Sequence, residues 1–227
     1  GLGQSTSLSL GAKGASITPS VDSIRAFLVE NNAGTDILVV DTSNSVVKIG
    51  TTSTYANTQI KEFGVFDFSP TADTHHPMVG MTGISSASSG EDYAPADFGT
   101  GTDPATTFTV SSAADMLTAS LWYIPVAITI DEVRFICSGD AADTLNFHLF
   151  SYTIATGTAS GAGDLSSGTL LAHNGSTLTV GADRVTTTTL TVDSASVAAD
   201  KVILAFVENV GATTDITAQL IVKYHYQ

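Results

Sequence analysis

"DITAQLIVKYHY", residues 215–226, decides how the rest of the chain is read. Ile216, Ala218, Leu220, Val222, Tyr224 and Tyr226 share one parity, while Thr217, Gln219, Lys223 and His225 take the other. Side chains of an extended chain alternate between two faces, so the stretch predicts a half-buried antiparallel strand. Further back, "DTLNFHLFSY" sets Leu145, Phe147 and Leu149 against Asn146 and His148 in the same way. Between them lie "GTLLAH", "STLTV", "RVTTTTLTVD" and "KVILAFVEN", separated by turns such as "NGS" and "GAD". In "VAITIDEVRFIC", Ile128 and Ile130 share a parity that Val133 and Phe135 do not, which predicts a bulge at Asp131–Glu132. About eight strands at this spacing predict an antiparallel β-sandwich of jelly-roll type over 106–227.

Composition agrees with an all-β chain and excludes several functions. Of 227 residues 43% are hydrophobic and only 13% charged, about half the usual charged share. The net charge of −14 argues against a nucleic-acid surface, which needs clustered Lys and Arg. The single Cys137 rules out an intrachain disulfide framework and reads as a buried thiol in "VRFIC". No apolar run nears the roughly 18 residues that suggest a spanning helix, so no membrane insertion by a helix is expected.

Two regions precede the sandwich. Residues 63–105 hold four of the six prolines and many Gly and Ser, and predict an irregular connector. Residues 1–62 contain "IRAFLVE", "DILVVD" and "VVKIG", short strands around "NNAGT" and "TSNS". "SVDSIRAFLVENN" also allows two helical turns, but the short regular spacing favours strands. Nearly every interior position of "DILVVD" is apolar, so both of its faces call for cover.

The chemistry on view is sparse. Glu91–Asp92 and Asp131–Glu132 are adjacent pairs whose members point to opposite faces, which is the wrong geometry for an acid/base dyad. His75 and His76 in "THHP" are the candidate metal ligands, yet no further ligands stand at a defined spacing. "SGDAADT" and "SGAGDLSSGT" carry Asp oxygens without a calcium-loop pattern, and ordinary turns explain them. Trp122, Tyr123 and Tyr152 are candidate glycan contacts. No nucleophile elbow or phosphate loop occurs, so neither an enzyme nor a cofactor is expected.

"FLVENNAGTDILVVDTSNSVVKIGTT", residues 27–52, resembles a short repeat of bacteriophage fibre and appendage proteins. The resemblance implies an intertwined homotrimer in which strands of three chains share one core. Ile37, Leu38, Val39, Val40, Val46, Val47 and Ile49 would form that core and supply the missing cover. It further implies a virion-surface structural protein, a capsid decoration or short fibre, bound to capsid or tail components. A receptor-binding fibre tip that holds a host glycan is the alternative. Only one copy of the repeat is present, where a long shaft would carry many.

Overall fold

The computed structural model describes residues 6–11, 14–50, 54–55, 57–80, 96–110, 120–156 and 164–227. Every named element among them is a β-strand. Contacts divide the chain into two units, Gly1–Thr58 and Gln59–Gln227. The first holds β1 (Thr6–Gly11), β2 (Gly14–Pro19), β3 (Phe27–Glu30), β4 (Asp36–Asp41), β5 (Val46–Ile49) and β6 (Thr54–Tyr55). β1 and β2 form a two-stranded antiparallel sheet, and β3-β4-β5-β6 a four-stranded one.

Local chemistry fixes the turns of the larger sheet. Asn31 Oδ1 accepts the Ala33 and Thr35 amides at 2.9 and 3.0 Å, and Gly34 takes φ +75, so "NNAGT" reverses the chain. Asp41 does the same for the next reversal, accepting the Asn44 amide at 3.0 Å on Oδ1.

The second unit is a two-sheet sandwich. It adds β7 (Thr58–Phe68), β8 (His76–Pro77), β9 (Trp122–Ile124), β10 (Ile128–Gly139), β11 (Thr144–Ile154) and β12 (Leu165–His173). It continues with β13 (Leu178–Thr179), β14 (Thr186–Thr189), β15 (Thr191–Val192), β16 (Ser196–Val197), β17 (Lys201–Asn209) and β18 (Ile216–Tyr226). One sheet runs β14-β10-β18-β7, with β16 also on β10. The other runs β15-β12-β11-β17-β8, with β13 on β11 and β9 on β17. The register shift between Ile130 and Glu132 is the expected bulge, and it returns Val133 and Phe135 to the inner face.

The main core lies between these sheets. Phe135, Cys137, Leu220 and Val222 of one meet Leu145, Phe147, Leu149, Ile203 and Val207 of the other. Phe135 and Phe147 stack at 4.2 Å. Burial pushes the Cys137 thiol up to about 12, which makes it an inert packing group. The expected division at 62/63 does not follow this architecture, because β7 crosses it and gives Phe63, Val65 and Phe68 to the core. Their parity breaks at Asp67, whose left-handed φ of +49 turns Phe68 back inward.

A second core covers the outer face of the β11–β17 sheet. Phe150, Tyr152, Val202, Leu204 and Phe206 pack there beneath Ala96 and Phe98, with Phe108 at the margin. The 96–110 segment is therefore a strap on its own sandwich. Phe108 and Leu165 exchange backbone hydrogen bonds at 2.9 Å, and the Gly168 amide donates to Thr106 O at 2.8 Å. Gly168 has to be glycine, since a Cβ there would sit 2.7 Å from both Thr106 Cα and Tyr152 Cε1. The strap also buries the face of β11 expected to be polar, so His148 lies inside.

Candidate functional site

The register of β3, β4 and β5 sorts the apolar residues of the first unit onto two faces. Phe27 pairs with Val40 and Val40 with Val47, while Val29 pairs with Leu38 and Leu38 with Ile49. Residues opposite one another share a face, so these six side chains form one patch without a charge. All six are left partly or largely open by this chain, Ile49 at 54%. Contiguous apolar surface of this kind makes the face a candidate interaction site.

The expected trimer core is thereby redistributed. Leu38, Val40, Val47 and Ile49 belong to the open patch. Ile37, Val39 and Val46 lie on the opposite face with Leu28 and Lys48, and Val39 is already buried within the chain. Phe27 and Val29 join the patch although sequence reasoning passed them over. The alternation in "FLVE" was their signal, but only the register shows which face they extend.

On the opposite face, where Ile37 is itself 47% exposed, Asp41 is the anchor. It is fully buried and accepts Asn44 Nδ2 at 2.9 Å and Lys48 Nζ at 3.2 Å on Oδ2. Hydrogen bonds from Asn44, with Lys48 beside them, hold its carboxyl below the usual range despite burial. Arg25 braces the sheet edge through Glu30 at 3.0 Å and through Asp36.

In the second unit, His75 and His76 do not converge. The His75 ring lies 4.9 Å from that of His148, whereas His76 faces Phe68 at 5.4 Å. His75 Nδ1 donates to Gly99 O at 3.1 Å, leaving Nε2 3.5 Å from Glu208 Oε2. Burial pushes His76 down, and burial together with His75 and His173 pushes His148 down to about 3. Among the described residues no three His, Cys, Asp or Glu side chains are grouped to hold a metal.

The other candidates are dispersed as well. Tyr152 is fully buried, its hydroxyl donating to Ala105 O at 2.9 Å, so it cannot stack on a sugar. Trp122 packs against Phe63 and Tyr224. Tyr123 alone of the three is exposed, at 52%, and its hydroxyl donates to Asp200 at 2.5 Å. Asp131 faces His225 Nδ1 at 2.9 Å and Glu132 pairs with Arg134 at 3.3 Å, so the two carboxylates serve separate partners. Glu91 and Asp92 lie outside the described residues.

No family model and no curated protein matches the chain. Among solved structures it can be superposed on "Structure of infectious bursal disease virus Gx strain" with a TM-score of 0.26 and 9% identity. That superposition covers 92% of this chain and 38% of the viral one, so the chain spans well under half of the viral chain's length. A fit so loose bears on neither lineage nor function.

Proposed function

We propose that the chain is a non-enzymatic structural subunit of a tailed-phage virion, assembled as a homotrimer at the particle surface. The open apolar patch of Phe27, Val29, Leu38, Val40, Val47 and Ile49 carries this reading. It sits within the segment that resembles fibre repeats, and copies of an uncharged apolar face cover one another well. The sandwich is the part displayed outward, and capsid or tail proteins are the other partners. A decoration protein suits the single repeat better than a long shaft does.

Sedimentation equilibrium of the purified chain tests the assembly, with a trimer mass expected. A monomer at all concentrations would refute it. The glycan-tip alternative retains only Tyr123 as an exposed aromatic among its candidates, so a glycan array is expected to stay silent.

A further inference from the structure

At one end of the sandwich, a buried carboxylate is surrounded by oxygen atoms. Asp143 lies in the connection from β10 to β11 and is 2% exposed. Its Oδ1 accepts the hydroxyl of Thr214, from the connection between β17 and β18. Its Oδ2 accepts a hydrogen bond from no described residue, and Asp143 forms no ion pair with one. A buried carboxyl with an unpartnered oxygen is stable either as the neutral acid or with a cation beside it.

The surroundings specify what kind of group. A Cβ at Gly139 would lie 2.9 Å from Asp143 Oδ2, 3.5 Å from Ala141 O and 3.6 Å from Asp215 O. Three oxygens from three residues thus converge on the side of Gly139 that carries no side chain. Asn209, buried on β17, reaches Thr214 Oγ1 with Nδ2 at 3.5 Å, and its Oδ1 is a second buried acceptor without a described donor. Beside Gly139 a cavity of about 340 Å³ is lined by Asp67, Asp140, Asp183 and Asp215, with Arg184 as a cation on its wall. The local field therefore favours cations as well.

Although "SGDAADT" reads as an ordinary turn in sequence, we propose that this end of the sandwich binds Ca²⁺, with Asp143 as its carboxylate ligand and Ala141 O, Asp215 O and Asn209 Oδ1 as further oxygens. A set of one carboxylate with carbonyl and amide oxygens suits a hard cation that tolerates irregular coordination and completes its shell with water. It contains no thiolate or imidazole to favour zinc. The ion would tie together the two connections that cross between the sheets.

The test is thermal melting and calorimetric titration of the full chain after dialysis against chelator. Millimolar Ca²⁺ is expected to raise the melting midpoint by about 3 °C, as mass action predicts for a modest site. Asp143→Asn should abolish the rise, whereas Asp183→Asn, on the cavity wall, should keep it. Should Asp143→Asn fail to fold, Asn209→Asp serves instead, because a second carboxylate should tighten Ca²⁺ about tenfold or more. No Ca²⁺ effect on the wild type would overturn the proposal. So would an undiminished rise in Asp143→Asn, or an unchanged affinity in Asn209→Asp.

Discussion

Phe98 of the strap and Phe206 of β17 meet with ring centroids 4.7 Å apart, both fully buried. Phe98 also stacks on Phe108 at 4.4 Å and meets Tyr152 at 6.1 Å. Phe98→Ala should therefore open a cavity costing about 3 to 5 kcal/mol. Urea denaturation measures the loss, and limited proteolysis should show cleavage within 96–110 ahead of the sheets.

His148 gives the sandwich an acid limb. It is packed among His75 and His173, with Asp103 at 3.4 Å and Glu208 close to His75. Its folded value of about 3 lies below its ordinary 6.5, so the unfolded chain binds this proton first. The contribution is therefore complete above pH 6.5 and declines as pH falls toward 3. The slope is about 1.4 kcal/mol per pH unit. His148→Phe keeps a ring in place and removes the titration, so its stability should vary less with pH over that window.

Ile49→Asp and Val47→Asp probe the patch without disturbing the fold of one chain. Both side chains are exposed within the chain, so a charge there costs the isolated unit little. In a trimer each substitution would bury three carboxylates without partners. Loss of the trimer mass with an unchanged circular dichroism spectrum is the expected outcome. Val39→Asp is a poorer probe, because Val39 is buried inside the chain and its loss confounds folding with assembly.

Truncation should separate the two units. Deleting residues 1–57 leaves β7 whole, and the sandwich should remain folded but monomeric. Deleting residues 1–68 instead removes Phe63, Val65 and Phe68 from the main core. That shorter chain should melt at a much lower temperature or stay unfolded, as calorimetry would show.

β10 and β18 were legible because their solvent side is distinguishable from their core side by parity. Even the bulge before Glu132 could be read from the displaced parity of Val133 and Phe135. β7 escaped notice because Asp67 breaks its alternation. The strap escaped because "PADFGTGTDP" has no period, and its anchors Phe98 and Phe108 stand alone among polar residues. The sign of its presence was elsewhere, in "KVILAFVEN". A strand apolar on both parities needs two covers, and β17 has them in the main core and the strap. The apolar patch was half legible, since seven candidates could be named but only pairing register assigns faces.

The pairing of β18 with β7 has a consequence for synthesis. The Asp67 amide donates to Thr217 Oγ1 across 150 positions of sequence. β10 likewise pairs along its length with β18, from Ile128 with Tyr226 to Gly139 with Ile216. Residues 58–68 leave the ribosome long before the strand that will lie beside them. Until Ile216–Tyr226 emerge, the nascent chain holds two strand edges and half a core without partners. A fold of such high contact order closes slowly, and its dangerous interval falls late in translation. Ribosome-bound chains stalled before residue 216 should accordingly be the ones that recruit chaperones.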